Sequence, residues 1–233
     1  MGGKRVRRRR LSELAPEVDI AAGRVRVDGR VVTNPSSMVL PSSSVVVDEQ
    51  RDLRGAAKLR AALRGFTVPL AGMVAVDVGA AAGGFTTVLL EKGARRVYAL
   101  DAGHGQLVGS LRQDPRVVNL EATNLAEVDA TLVPDRVDAV TVDVSYLSLH
   151  EAVAQLSQRI GFGERAHLVG LVKPMFELHL GHLPRERAQF DEAMARTIAG
   201  IEEAGWSVRA TMPSPVTGAR GAVEFLLWAQ LAP

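Results

Sequence analysis

Apolar residues change their spacing along this chain near residue 70. Beyond Pro69, short β-branched runs alternate with stretches whose apolar positions recur every three to four residues. The runs are Met73–Val78, Val97–Leu100, Val117–Leu120, Val137–Val142, His167–Val172, Ser207–Thr211 and Phe225–Ala229, each of strand length. Helices are predicted between them over Phe85–Lys92, Gly105–Arg112, Leu149–Arg159 and Arg187–Ala204. Strands joined through helices predict an α/β fold with a parallel sheet covered on both faces.

The region before it reads differently. Gly23 to Val32 alternates valine with charge around Asp28-Gly29, which predicts a hairpin about a turn of positive φ. Asn34-Pro35-Ser36-Ser37 reads as a loop and Ser44–Asp48 as a further short strand. This is a small β-rich module, too small to hold a core unaided. Arg51–Gly65 reads as a helix, with Leu53, Ala57, Leu59, Ala62 and Leu63 on one face, and joins the two regions. The expected organisation is a module over 1–49, a linker and helix over 50–69, and the α/β domain over 70–233.

Composition narrows the classes. With 233 residues, 47% hydrophobic and 23% charged, the chain can bury one large core. Zero cysteines exclude disulfides, thiolate metal sites and a cysteine nucleophile. No apolar run approaches the roughly 18–20 residues that span a bilayer, and the basic start has no apolar stretch behind it. A cytoplasmic location is the expectation. Aromatic residues are only 4%, so the stacking surface of many single-strand RNA readers is lacking. Net charge is +2, but its distribution is uneven. Lys4, Arg5, Arg7, Arg8, Arg9 and Arg10 crowd the start, and Arg24, Arg26 and Arg30 follow. Charge alone leaves two readings open, a polyanion-binding arm or a solvated tail.

Four features carry chemistry. First, the strand ending in Asp77 runs into Gly79-Ala80-Ala81-Ala82-Gly83-Gly84 and then a helix. Glycines there let a backbone approach a ligand at the carboxyl edge of a sheet, although tight strand–helix turns use glycine anyway. The spacing is not the dinucleotide G-x-G-x-x-G. Second, Asp101 ends the next strand roughly twenty residues on, where an acid can accept from a ribose diol; the alternative is a surface acid. Together these favour a nucleoside-containing cofactor. Third, Asp143 ends the fourth strand, beside the first in this topology. Fourth, Lys173 ends the following strand, and a lysine ending an internal strand is costly unless it faces a polar site. A snorkelling surface lysine is the other reading.

In their order and spacing seven blocks resemble the TlyA family of 2′-O-ribose RNA methyltransferases, with an FtsJ-type catalytic domain. They are Arg54–Leu59, the glycine turn, Asp101–Leu107, Glu121–Asn124, Asp143–Leu149, Leu171–Glu177, and Ser214-Pro215 with Gly218, Gly221 and Glu224–Leu227. Together they span about three quarters of the chain. The resemblance implies a Rossmann-like S-adenosylmethionine-dependent sheet of seven strands, mostly parallel with the last antiparallel. It implies S-adenosylmethionine as cofactor, with contacts at Asp77, Gly79, Ala80, Gly83, Gly84, Asp101 (ribose), Asp143, and Glu121, Thr123 and Asn124 near the adenine. It implies a catalytic set of Lys58, Asp143, Lys173 and Glu224, and no metal. Two close lysines raise the cost of both being charged, so one can act as base; Lys173 is the expected one.

Two departures bear on substrate. Ala81-Ala82 stand where the family usually shows Ser-Thr. The family's N-terminal RNA-binding motif, of the ribosomal-protein-S-four type, is recognisable only in its latter half, Ala22–Gly29 and Val32–Pro35, behind a short arginine-rich start. RNA contacts are expected from Arg5, Arg7, Arg8, Arg9, Arg10, Arg24, Arg26 and Arg30. The expected partner is RNA, ribosomal RNA or ribosomal subunits, with oligomeric state open. A small hydroxylated metabolite as substrate, or a non-catalytic RNA-binding protein, are the alternatives. The haemolysin name of some relatives finds no spanning segment here. His179-x-x-His182 reads as a polar loop rather than a metal pair, and Ser145 lacks a nucleophile's setting.

Overall fold

The computed structural model describes residues 8–21, 25–32, 34–47 and 53–233, which divide into the units Met1–Asp52 and Leu53–Pro233. In the first unit, β1 (Arg9–Arg10) pairs antiparallel with β4 (Met38–Val39). Strands β2 (Val25–Val27), β3 (Arg30–Val31) and β5 (Val45–Val47) form a sheet in the order β3-β2-β5. The hairpin forms as its turn requires, with φ of 50° at Asp28 and 79° at Gly29. Asp28 also accepts from the Ser44 N–H at 2.9 Å, tying the turn to the approach of β5. A β-rich reading omitted a 3-10 turn at Leu11–Glu13 and the short helix α1 (Glu17–Ala21). Both are too short for periodicity to reveal, yet Leu11 and Ile20 from them are fully buried with Ala15, Val25 and Val39. Arg5, Arg7 and Arg24 lie outside the described residues.

The second unit is built on one seven-stranded sheet. Its strands are β6 (Val74–Val78), β7 (Arg96–Asp101), β8 (Val117–Glu121), β9 (Val137–Val142), β10 (Phe162–Val172), β11 (Trp206–Pro213) and β12 (Phe225–Leu231). They lie in the order β11-β12-β10-β9-β6-β7-β8, with β12 antiparallel to both neighbours and the β10-β9-β6-β7-β8 pairs parallel. Alternation separates two faces. Val74, Val76, Val78, Tyr98, Val140 and Val142 meet the buried residues of α5 (Leu149–Ser157) and Ile201 of α7 (Arg187–Glu203). Ala75, Ala99, Ala139 and Val97 meet α2 (Arg54–Gly65) and α3 (Gly84–Glu91). Small residues on that second face let the two helices lie close to the sheet.

The helix expected over 51–65 as the join spans Arg54–Gly65, and its buried residues Ala56, Leu59, Ala61 and Ala62 belong to the second unit's core. The helix expected over Gly105–Arg112 is only one turn, α4 (Gly109–Arg112). The Glu121 carboxylate takes the N–H groups of Gln106 and Leu107 and so holds that stretch as a loop. A further turn, α6 (Pro174–Glu177), follows β10 directly, with Pro174 at its first position. From β6 the chain moves outward through β7 to β8, then returns to β9 on the other side of β6. The carboxyl ends of β6 and β9 therefore flank a topological switch point, where such sheets bind ligands. Among the described residues no helix is long and apolar enough to cross a membrane.

Candidate active site

At the switch point the loops after β6 and β9 touch through main chain. Gly79 has φ 85°, and a Cβ there would stand 2.5 Å from the Asp143 carbonyl oxygen. The N–H groups of Gly79 and Ala80 both donate to the Leu100 carbonyl, at 2.9 and 3.0 Å. Asp101, at the end of β7, closes the turn from the other side. Its Oδ2 accepts from the Ala81 N–H at 2.8 Å and its Oδ1 from the Gly103 N–H at 2.6 Å. The result is a cleft of about 290 Å³, walled by Val78, Gly79, Ala81, Leu100, Asp101 and Thr123 on one side. Asp143, Val144, Ser145 and Tyr146 form the other.

That second side carries the charge. The Asp143 N–H donates to the Val78 carbonyl at 2.9 Å, which sets its carboxylate at the strand end. Lys173 Nζ lies 2.6 Å from Asp143 Oδ1 and donates to the Val144 carbonyl at 2.7 Å and to Ser145 Oγ at 2.9 Å. Lys58 Nζ donates to Asp143 Oδ2 at 3.4 Å and lies 2.7 Å from Glu224 Oε2, an ion pair off the line of a hydrogen bond. Lys58 and Glu224 are both buried. Four side chains, one from α2 and three from the residues just after β9, just after β10 and just before β12, thus run Lys173, Asp143, Lys58, Glu224, with cation and carboxylate alternating. Lys58 reaches this point because α2 lies against α3 backbone to backbone. A Cβ at Gly84 would stand 2.8 Å from the Ala56 nitrogen. Glu224 is held by the closed loop before β12, where the Ser214 N–H donates to the Glu224 carbonyl at 2.9 Å. Such a chain can orient a hydroxyl, and Lys173 can take its proton when its own amine is neutral.

A model of FtsJ-like methyltransferases matches residues 52–231. This chain belongs to the FtsJ-like methyltransferase family. Over 222 residues, 90% of this chain and 81% of the relative, it is 41% identical to the 16S/23S rRNA (cytidine-2′-O)-methyltransferase TlyA of Mycobacterium tuberculosis. A solved structure from Streptococcus thermophilus, labelled a hemolysin, superposes with a TM-score of 0.73 at 28% identity, covering 97% of this chain and 90% of that one. An S-adenosylmethionine-dependent methyltransferase from Mesorhizobium loti shares the fold at 18% identity and TM-score 0.53, over 76% of this chain and 98% of that one. The family's cofactor is S-adenosylmethionine, and the cleft fits it. Gly79 lets the loops after β6 and β9 close on each other at the cleft, Val78 and Leu100 offer apolar wall, and Asp101 offers a carboxylate for the ribose diol.

The expected site residues fall into two groups. Lys58, Asp143, Lys173 and Glu224 meet in one cluster, and Gly79, Asp101 and Thr123 line the cleft with Asp143, while Ala80 is buried behind it. Asp77, Gly83, Gly84, Glu121 and Asn124 stand off it and shape its surroundings. Asp77 is fully buried beneath the turn, accepting from Thr86 Oγ1 at 2.6 Å and Thr141 Oγ1 at 2.9 Å. Burial pushes its carboxyl up to about 6, against the pull of those hydroxyls. Gly83 has φ 98°, and a Cβ there would run into Leu107 and Leu111. Glu121 pairs with Arg112 at 2.8 Å. The Leu107 N–H first, then the Asn119 amide, the Gln106 N–H and Arg112 hold its carboxyl down to about 2. Asn124 caps the turn Leu125–Glu127, accepting from the Ala126 N–H at 3.0 Å.

Ser145 and Tyr146 were not among the expected site residues, and both line the cleft. Their place directly after Asp143 was the available signal for Ser145, whose use is as a lysine partner rather than a nucleophile. Arg8, Arg9, Arg10, Arg26 and Arg30 are exposed on the first unit. Arg9 bonds the Glu13 side chain at 3.3 Å. His179 lies 3.8 Å from Glu151, and among the described residues no group of three or more metal-type side chains gathers.

Proposed function

We propose that this chain methylates the 2′-hydroxyl of a ribose in RNA, with ribosomal RNA, free or in ribosomal subunits, as the substrate class and the cytoplasm as its location. The observation that carries the reading is the Asp143 carboxylate shared between Lys173 and Lys58 at the mouth of the cleft. The ribosomal-RNA cytidine-2′-O activity named for the Mycobacterium tuberculosis relative supports it.

When bound, S-adenosylmethionine supplies a methyl group on a positively charged sulfur. Lys173, as the neutral amine, would take the proton that the ribose hydroxyl gives up on accepting that methyl group, and Asp143, Val144 and Ser145 would then hold the resulting ammonium. Asp143 fixes Lys173 through one oxygen and Lys58 through the other, and Glu224 holds Lys58 from behind. Much of the rate therefore comes from the hydroxyl's positioning by these side chains. Gly79, Asp101, Thr123 and Asp143 make the cofactor contacts in this reading, with Asp77, Ala80, Gly83, Gly84, Glu121 and Asn124 holding the loops that bear them. Arg8, Arg9, Arg10, Arg26 and Arg30, with Arg5, Arg7 and Arg24, bind RNA phosphates.

Calorimetric titration beside a methyl-transfer assay on ribosomal RNA and subunits tests this. Lys173→Ala is expected to bind S-adenosylmethionine as the parent does and to lose at least about a hundredfold in transfer rate. Turnover retained in that variant sinks the assignment of the base.

A further inference from the structure

The contacts that fix Lys173 have a second attachment one helical turn further on. Glu177, the last residue of α6, is fully buried. A buried carboxylate needs partners, and both of those found here come from the first turn of α5. Glu177 accepts from the Leu149 N–H at 2.6 Å through Oε1 and lies 2.7 Å from His150 Nδ1 through Oε2. With a carboxylate opposite, the ring nitrogen donates. The local cap of α5 leaves the buried Leu149 N–H to Glu177. Ser148 and Glu151 already form a reciprocal box, with the Glu151 N–H donating to Ser148 Oγ at 3.3 Å and the Ser148 N–H to Glu151 Oε2 at 3.1 Å. The Glu177 carboxylate comes from 28 residues away, so in completing that cap it also joins α5 to the end of β10.

It ties together the two segments that carry the reacting groups. One is 143–150, bearing Asp143, Val144 and Ser145; the other is 173–177, bearing Lys173. The N–H groups of Phe176 and Glu177 both donate to the Lys173 carbonyl, at 2.8 and 3.1 Å, so a shift of Glu177 passes to the Lys173 backbone within one turn. Lysine has a flexible four-carbon stem, and three acceptors can hold it only while both segments keep their register.

We propose that Glu177 is a positioning residue for methyl transfer: its bonds to Leu149 and His150 clamp the end of β10 against the Asp143–Ser148 segment and keep Lys173 Nζ on Asp143, Val144 and Ser145. This rests on the reading of Lys173 as proton acceptor. Gln keeps the length and an oxygen for the Leu149 N–H, with an amide facing His150. Asp falls one methylene short of reaching both partners.

The test compares Glu177→Gln with Glu177→Asp for kcat on ribosomal RNA, KM for RNA, and S-adenosylmethionine affinity by calorimetry. Glu177→Asp is expected to lower kcat about tenfold or more with cofactor affinity and KM unchanged, and Glu177→Gln to stay within about threefold of the parent. Parental kcat in Glu177→Asp overturns the proposal. So does a parallel loss of cofactor affinity, which marks a general structural role, or equal loss in both variants. Lys173→Ala in the same assay separates the two claims. Turnover kept there overturns the role of Lys173; turnover lost there but kept in Glu177→Asp overturns the clamp alone.

Discussion

On the β6–β7 side of the cleft the wall is main chain. Gly79, Ala80 and Ala81 hand their N–H groups to Leu100 and Asp101, and the shape depends on an atom that is missing, the Gly79 Cβ. On the β9–β10 side the wall is charge, four side chains from four elements meeting end to end. The first side is local in sequence, since a strand, a turn and the next strand suffice to build it. The second is assembled from residues 58, 143, 173 and 224 and exists only when the whole sheet has closed. The two sides should therefore fail differently, one to an added methyl group and the other to a removed charge.

The largest effect is expected on the charged side. Glu224→Ala leaves buried Lys58 with only the longer contact to Asp143, and breaking a buried pair from one end costs about 3–5 kcal/mol. Denaturant unfolding reads it, and a loss below about 1 kcal/mol would show that water reaches Lys58.

Asp77 lies under both sides, and its effect has the opposite sign. Its folded carboxyl is raised to about 6, so between the ordinary carboxylate range and pH 6 the folded chain holds a proton that the unfolded chain has released. Its contribution to stability is greatest below about pH 4, falls as pH rises to 6 and beyond, and then is flat. Asp77→Asn lacks that slope. The stability of the variant relative to the parent should rise by up to about 3 kcal/mol between pH 4 and pH 7. A pH-independent difference would mean that Thr86 and Thr141 satisfy the ionised form.

The smallest expected effect falls on the main-chain side. Gly79→Ala strains a positive φ and drives a Cβ at the Asp143 carbonyl, an effect of about 2 kcal/mol, read as roughly thirtyfold weaker S-adenosylmethionine binding. Unchanged affinity would erase the distinction between the two sides.

The local side was also the legible one. Alternating valines, the glycine turn and an acid at the end of the next strand are short-range signals, and the strands of the sheet stand close to where the spacing put them. Gly105–Arg112 was misread as a full helix because the carboxylate that unwinds its first half, Glu121, sits fourteen or more residues away. Asp143 and Lys173 are legible from their strand ends, but Lys58 and Glu224 came through family resemblance, and nothing in their spacing would have joined them to Asp143. Glu121, Asn124 and Asp77 are acidic or polar residues near the right strand ends. Whether such a side chain faces the cleft, a loop or the core depends on which groups tertiary packing brings within reach. The strands, their α/β succession, the hairpin at Asp28-Gly29 and the bend at Gly79 are written in the chain, because each follows from backbone preference and side-chain period over a few residues. That Gly84 serves the approach of α2, that Ser145 faces Lys173 and that Glu177 reaches α5 emerges only in the folded molecule, because those contacts join segments whose separation along the chain carries no local trace.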